Sequence, residues 1–230
     1  MQSEIGTLYV VAIPIGHPKD ITLRALDILS AVDMIICEDV RNASRFLKQC
    51  GLAEKPFAVL SEHNEKMDTG SLIEQLLLGK NAALISDCGT PVFADPGYEL
   101  IRQAVQSGIQ VIPLPGPSSL ITALSVLDRP LNQFIFGGFL PRENDNRIAA
   151  LRSLKAHNLP VIIMDTPYRL EMLLVDVSKV FSPSQEIMLA TDLTQTTEKI
   201  YRGSVTDVLE SLEKKKAEFI LVIYTSGKKS

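Results

Sequence analysis

Two α/β domains of similar size are predicted by three features of the chain. Short β-branched apolar runs alternate with amphipathic stretches, a single Pro/Gly-dense break at PLPGPSS (113–119) interrupts the alternation, and the alternation restarts after it. The break sets a boundary near residue 115, giving an N-terminal α/β domain over 1–115 and a C-terminal α/β domain over 116–230. A chain of 230 residues suits that division, since domains of roughly 100–150 residues are the commonest.

In the first half TLYVVAI (7–13) is a strand, and DITLRALDILSAV (20–32) is a helix with Leu23, Leu26, Ile28 and Leu29 on one side. DMIICED (33–39) is a strand ending on acids, followed by a helix through RNASRFLKQCG. FAVL (57–60) is a short strand, GSLIEQLLLGK (70–80) a helix stopped at Gly79, and AALISD (82–87) a strand. YELIRQAVQSG (98–108) is a helix with Gly108 as its stop, and QVIPLPG (110–116) a strand. Such β-α-β-α order predicts a mostly parallel sheet with helices on both faces. After the break come helix SLITALSVL, strand QFIFGGF, helix RIAALRSLKAHN, strand PVIIMD and helix YRLEMLLVDVSKVF. Strands EIMLATDL and KIYRGS, helix VTDVLESLEKKK and strand EFILVIYT complete the pattern. No repeat of 20–50 residues is visible.

Composition narrows the function classes. Forty-six per cent hydrophobic and 22% charged residues are ordinary for a globular protein with a sizeable core. A formal charge of −4 argues against indiscriminate nucleic-acid binding, which needs clustered Lys and Arg. Cys37, Cys50 and Cys88 are an odd, scattered set without Cys-x-x-Cys spacing. They make neither a complete disulfide framework nor a zinc signature, no metal site is expected, and each reads as a small core residue in a reducing cytosol. The N-terminus MQSEIGTLYVVAIPIG carries an early acid and meets Pro after a short apolar run, so it is a strand and not a signal peptide. No window approaches 18 apolar residues, so no membrane span is expected and a cytoplasmic location is.

In open parallel sheets, ligands bind outside the carboxyl ends of strands. Those ends here are PIGHPKD, CEDVR, SEHNEK, SDCGTP and PGPSS, all polar or rich in Gly and Pro. Taken singly, Asp20, Asp39 or Asn42, and Ser118 or Ser119 also read as helix N-caps. Neither G-x-G-x-x-G nor G-x-x-x-x-G-K-[ST] is present, so the usual dinucleotide fingerprint and the P-loop are excluded. His157 reads as solvated at a helix end. His63, flanked by acids in SEHNEK, reads as a base, a substrate donor or a polar loop residue.

LYVVAIPIGHPKDITLRAL, ICEDVRNASRFL, EHNE, LISDCGTPVFADPGYELI, PLPGPSSLITAL and FGGFLPR occur in the order and spacing of the tetrapyrrole methylase superfamily. The chain most closely resembles its bacterial ribosomal RNA small-subunit ribose-2′-O-methyltransferase branch. The resemblance covers nearly the whole chain. It implies a class III methyltransferase with S-adenosylmethionine in a cleft between two α/β domains, in a homodimer, acting on RNA of the small ribosomal subunit. Carried over by position, Pro14, Ile85, Ser86, Asp87, Val92, Ser118, Ser119, Asp165 and Leu193 would contact the cofactor.

Methyl transfer from a sulfonium is an in-line displacement, and a ribose hydroxyl needs a base to take its proton. Glu38, Asp39, His63 and Glu65 are the candidates. Arg41 would pair with Glu38 or Asp39, or grip a phosphate. The second half departs from the branch. MDTPYRL stands where YESPHR is typical, and ATDLTQTTEKIYRG loses two cations, at Thr191 and Gln195. These changes keep two alternatives open, a methyltransferase of the same superfamily on another acceptor and a non-catalytic binding module. Absence of the small C-terminal domain that such enzymes often carry is a further argument for the first of these. Lys214–Lys216 and Lys228-Lys229 read as solvated surface.

Overall fold

A computed structural model describes residues 5–61 and 65–224, with the side chains of 65–67 outside the description. The chain divides into two compact units, Met1–Ser118 and Ser119–Ser230.

The first unit is a five-stranded parallel sheet in the order β3-β2-β4-β1-β5. Its strands are β1 (Thr7–Val11), β2 (Met34–Cys37), β3 (Phe57–Val59), β4 (Ala82–Leu84) and β5 (Gln110–Leu114). Helices α1 (Leu23–Ala31), α2 (Val40–Gln49), α3 (Glu65–Leu77) and α4 (Tyr98–Gln106) connect them. Strand residues alternate between two buried faces, as the period-2 pleat requires. Leu8, Ile36, Ala82 and Leu84 pack with Leu72, Leu76 and Leu100 of α3 and α4. Ile35, Cys37, Ala83 and Ile85 pack with Ala25, Leu29, Ala43 and Leu47 of α1 and α2.

Local boundaries differ from expectation at α1. Asp20 belongs to a 3-10 turn over Pro18–Asp20, and Thr22 caps the helix, its Oγ1 accepting from Ala25 N at 3.1 Å. Leu23, placed on the apolar side by periodicity, is 80% exposed. It is the first helical residue and lies off the buried stripe, which is carried by Ala25 and Leu29.

The second unit holds β6 (Ile135–Gly138), β7 (Val161–Asp165), β8 (Glu186–Thr191), β9 (Lys199–Ser204) and β10 (Phe219–Ile223), in the order β6-β7-β10-β8-β9. Helices α5 (Ser119–Leu124), α6 (Asn144–Ala156), α7 (Leu170–Val180) and α8 (Val205–Ser211) accompany them. Among its described strands only β6 and β7 run parallel. The β8–β9 connection is too short for a crossover, so those strands pair antiparallel, and β10 inserts antiparallel between β7 and β8. One face packs Val161, Ile163, Ile187, Leu189, Phe219 and Leu221 against α6, α7 and α8. Arg147 is buried within this unit. It pairs with Asp176 (Nη2–Oδ2 2.7 Å), donates to Arg142 O at 2.8 Å and reaches Asn144 Oδ1 at 3.0 Å.

Helix α8 begins with a capping box between Ser204 and Asp207 but stops at Ser211. It was expected to run on through Lys216. Leu212 is extended (φ −69°, ψ 110°), and 212–218 forms a linker that Lys214 ties back to Asp192 at 2.9 Å.

Candidate active site

The ends of the first unit's strands are joined by named bonds. After β1, Ile13 exchanges two backbone bonds with Gly89, at 2.9 and 3.1 Å, which couples the PIGHP and SDCGTP loops. Thr90 Oγ1 donates to Pro117 O at 3.0 Å, which adds the PGPSS loop after β5. Asn42 Nδ2 donates to Asp87 Oδ2 at 2.8 Å, which adds the first turn of α2, just beyond β2. Leu60, just beyond β3, donates to Cys37 O at 2.9 Å. All five ends therefore meet in one rim.

Close backbone approach makes this rim. A Cβ on Gly116 would lie 3.0 Å from Ala12 Cβ and 3.2 Å from Ala12 O. Gly97, at φ 132°, ends the corner where a Cβ would meet Leu84 Cδ2 at 2.8 Å and Val92 Cγ2 at 2.9 Å. Only glycine fits both demands, which explains the Asp-Pro-Gly at the corner's end. Val92 itself sits at φ 74°, a left-handed conformation that β-branched residues rarely adopt.

Electrostatics on the rim are negative. Burial first, then the carboxylates of Asp87, Asp39 and Glu38, push the Cys37 thiol up to about 12. Burial and the neighbouring Asp87 also raise the Asp95 carboxyl. Asp39 behaves otherwise. Its carboxylate caps α2, accepting from Arg41 N at 2.7 Å, and pairs with Arg41 Nη2 at 3.0 Å. Hydrogen bonds from Arg41 hold its pKa down.

Among the expected contacts, Pro14, Ile85, Ser86, Asp87, Val92 and Ser118 belong to the rim or the strands feeding it. Ser86 is buried, its Oγ donating to Cys88 O at 3.0 Å, and so holds the corner rather than facing outward. Glu38 and Asp39 lie at the end of β2 and Arg41 in the first turn of α2. Glu65 opens α3 by its backbone. His63 and the Glu65 side chain lie outside the described residues. Cys88 is exposed, contrary to a core role, because it lies past the end of β4 where no helix covers it. Sequence reasoning missed Asn42 as a partner of Asp87 and Asp95 as a half-buried carboxyl; the Asp-Pro-Gly signal could have pointed to the second.

In the second unit, Ser119 opens α5. Asp165 ends β7 with its side chain fully buried. Its Oδ1 accepts from Thr166 N at 2.7 Å and lies 3.2 Å from Arg169 Nη1, while no described residue bonds Oδ2. Burial raises its pKa, against the pull of Thr166 N, Arg169 and Arg147. Leu193 is buried in the turn after β8, between Asp192 (φ 48°) and Thr194 (φ 63°).

The family model described as Tetrapyrrole (Corrin/Porphyrin) Methylases matches residues 7–209. The chain belongs to the tetrapyrrole methylase family. Relatives named "Ribosomal RNA small subunit methyltransferase I" include one from Escherichia coli O157:H7, 40% identical over 222 residues, covering 95% of this chain and 77% of the relative. One from Pseudomonas aeruginosa is 42% identical over 195 residues, covering 85% and 69%. One from Thermotoga maritima is 37% identical over 224 residues, covering 97% of this chain and the relative's whole length.

As a tetrapyrrole methylase the chain is an S-adenosylmethionine-dependent methyltransferase. The rim fits that cofactor. Its backbone is brought close by glycines where side chains would collide, and its carboxylates suit a molecule bearing a sulfonium and an ammonium. Asn42 orients Asp87, the exposed one of these acids, from the first turn of α2. Among the described residues no cluster of three potential metal ligands occurs, and no helix is long and apolar enough to cross a membrane.

Proposed function

We propose that this tetrapyrrole methylase methylates a ribose 2′-hydroxyl in RNA of the small ribosomal subunit. The supporting observation is 37–42% identity, over most of the chain, to relatives named for small-subunit ribosomal RNA.

S-adenosylmethionine supplies an electrophilic methyl group on its sulfonium. In the proposed assignment Pro14, Ile85, Ser86, Asp87, Val92 and Ser118 hold the cofactor, with Asp87 a polar contact and Ser86 keeping the corner in shape. For Ser119, Asp165 and Leu193 the proposed cofactor role rests on the resemblance, and each is tested by substitution and calorimetric titration with S-adenosylmethionine. Among the acids after β2, Asp39 has low proton affinity because Arg41 engages it, and Glu38 is a proposed base for the ribose proton. Arg41, 87% exposed at its side chain, is proposed to orient Asp39 and to meet a phosphate. His63 and Glu65 remain proposed bases. A homodimer acting on ribosomal subunits in the cytoplasm is the proposed setting, checked by light scattering and fractionation.

The test is transfer of labelled methyl groups from S-adenosylmethionine to ribosomal subunits, total RNA and protein extract from a strain lacking the gene. Label in small-subunit RNA at an alkali-resistant dinucleotide is expected. Label only in another RNA or in protein would refute the acceptor, and no transfer despite cofactor binding would favour a binding module.

A further inference from the structure

The second unit has an exposed edge of its own. Phe219 stands opposite Asp165 on one side and Thr191 on the other, so β7 and β8 end together where β10 begins. β6 runs parallel to β7 and ends at the same edge. Two aromatic residues are exposed there, Phe139 (51%) in the loop after β6 and Tyr168 (75%) in the turn after β7. Arg169 joins the two loops, donating to Leu140 O at 2.9 Å and Pro141 O at 2.7 Å. The rings are therefore displayed on braced backbone.

Cations reach this edge from elsewhere in the sequence. Lys216 Nζ lies 4.9 Å from the centre of the Tyr168 ring, and Lys215 Nζ is 2.8 Å from Glu171 Oε1 at the start of α7. Lys214 Nζ bonds Asp192 Oδ2, beside Thr191. Arg142 is exposed in the loop that carries Phe139. The acids at this edge are Glu143, Glu171, Asp192, Glu213 and Glu218, so it is not a bulk basic patch.

Rings flanked by cations, on an edge of mixed charge, fit a ligand with flat faces and a charged backbone better than a simple polyanion. We propose that Tyr168 and Phe139 form a stacking platform for unpaired bases of RNA, with Arg142, Lys215 and Lys216 contacting the adjoining phosphates. This rests on the RNA reading above. Unpaired bases are the class selected because a duplex hides their faces.

The test is fluorescence anisotropy with a labelled single-stranded RNA oligonucleotide and its duplex, at several salt concentrations, in the presence of S-adenosylhomocysteine. The double variant Tyr168→Ala/Phe139→Ala should bind the single strand at least about tenfold more weakly with an unchanged salt slope. Tyr168→Phe should retain binding. Lys215→Ala/Lys216→Ala should lower the salt slope by about one to two. Calorimetric affinity for S-adenosylhomocysteine should be the same in all. If wild-type protein methylates small-subunit RNA while the aromatic double variant binds RNA unchanged, or loses single strand and duplex equally, the platform is overturned and the acceptor stands. If the wild type neither binds RNA nor transfers label to it, both are overturned.

Discussion

Asn42 Nδ2 donates to Asp87 Oδ2 at 2.8 Å, so the first turn of α2 sets the direction of the carboxylate that opens the SDCGTP corner. Both side chains sit at the rim rather than in the core. Removing either should change binding more than folding.

Asp87→Ala is expected to abolish measurable S-adenosylmethionine binding in titration calorimetry, with the melting temperature of the unliganded protein nearly unchanged. Asn42→Ala should weaken binding about fivefold, the value of roughly 1 kcal/mol for one hydrogen bond at an exposed position. An equal fall in melting temperature for both variants would make the bond structural.

Asp165 carries a proton-linked prediction. Burial raises its pKa in the folded state, so its ionisation opposes folding. The penalty is absent below the ordinary aspartate value of about 3.9, grows between that and the raised folded value, and is full above it. Asp165→Asn should therefore melt higher than wild type at pH 7, with the gap closing as pH falls towards about 4 and absent below it. If Oδ2 serves the cofactor, the same variant binds S-adenosylmethionine more weakly. A gain in stability joined to a loss of affinity separates that role from simple packing, and an Asn variant less stable at pH 7 would refute the pH argument.

Thiol reactivity should sort the cysteines. Cys88 is exposed, whereas burial and three carboxylates push Cys37 up to about 12, and burial raises half-buried Cys50. One thiol should label rapidly in native protein, lost in Cys88→Ser, and all three only on unfolding. S-adenosylhomocysteine should slow the rapid phase.

Arg147 and Asp176 are both buried and bonded, so single removal leaves an uncompensated charge. Arg147→Met should cost about 3–5 kcal/mol in denaturant unfolding. Arg147→Met/Asp176→Leu should recover most of that loss, and additive losses would refute the coupling.

What could be read in the sequence was punctuation. Gly89, Pro117 and the Asp-Pro-Gly corner announced loops under tight demands, and the first unit's parallel sheet follows from β-α-β order. What could not be read was direction and reach. Nothing local in EFILVIYT says that β10 runs antiparallel between β7 and β8, because pairing partners are chosen by tertiary packing. Nothing in EKKKAEF says that Lys214 finds Asp192, 22 residues away in the chain. Periodicity likewise could not tell that Leu23 lies off the buried stripe, or that Thr22 and not Asp20 would cap the helix.

The position of β10 also sets an order of events during synthesis. The first unit's five strands are complete once residue 114 has left the ribosome, and each neighbour pair is then available. In the second unit β7 and β8 are not paired with each other and wait for β10, the last of the described strands to be made, to enter between them. Until then Ile162, Leu189 and their neighbours, buried in the finished protein, are without their central partner. The nascent chain thus carries a finished domain ahead of a half with unpaired strand edges, the state in which aggregation and chaperone capture compete with folding.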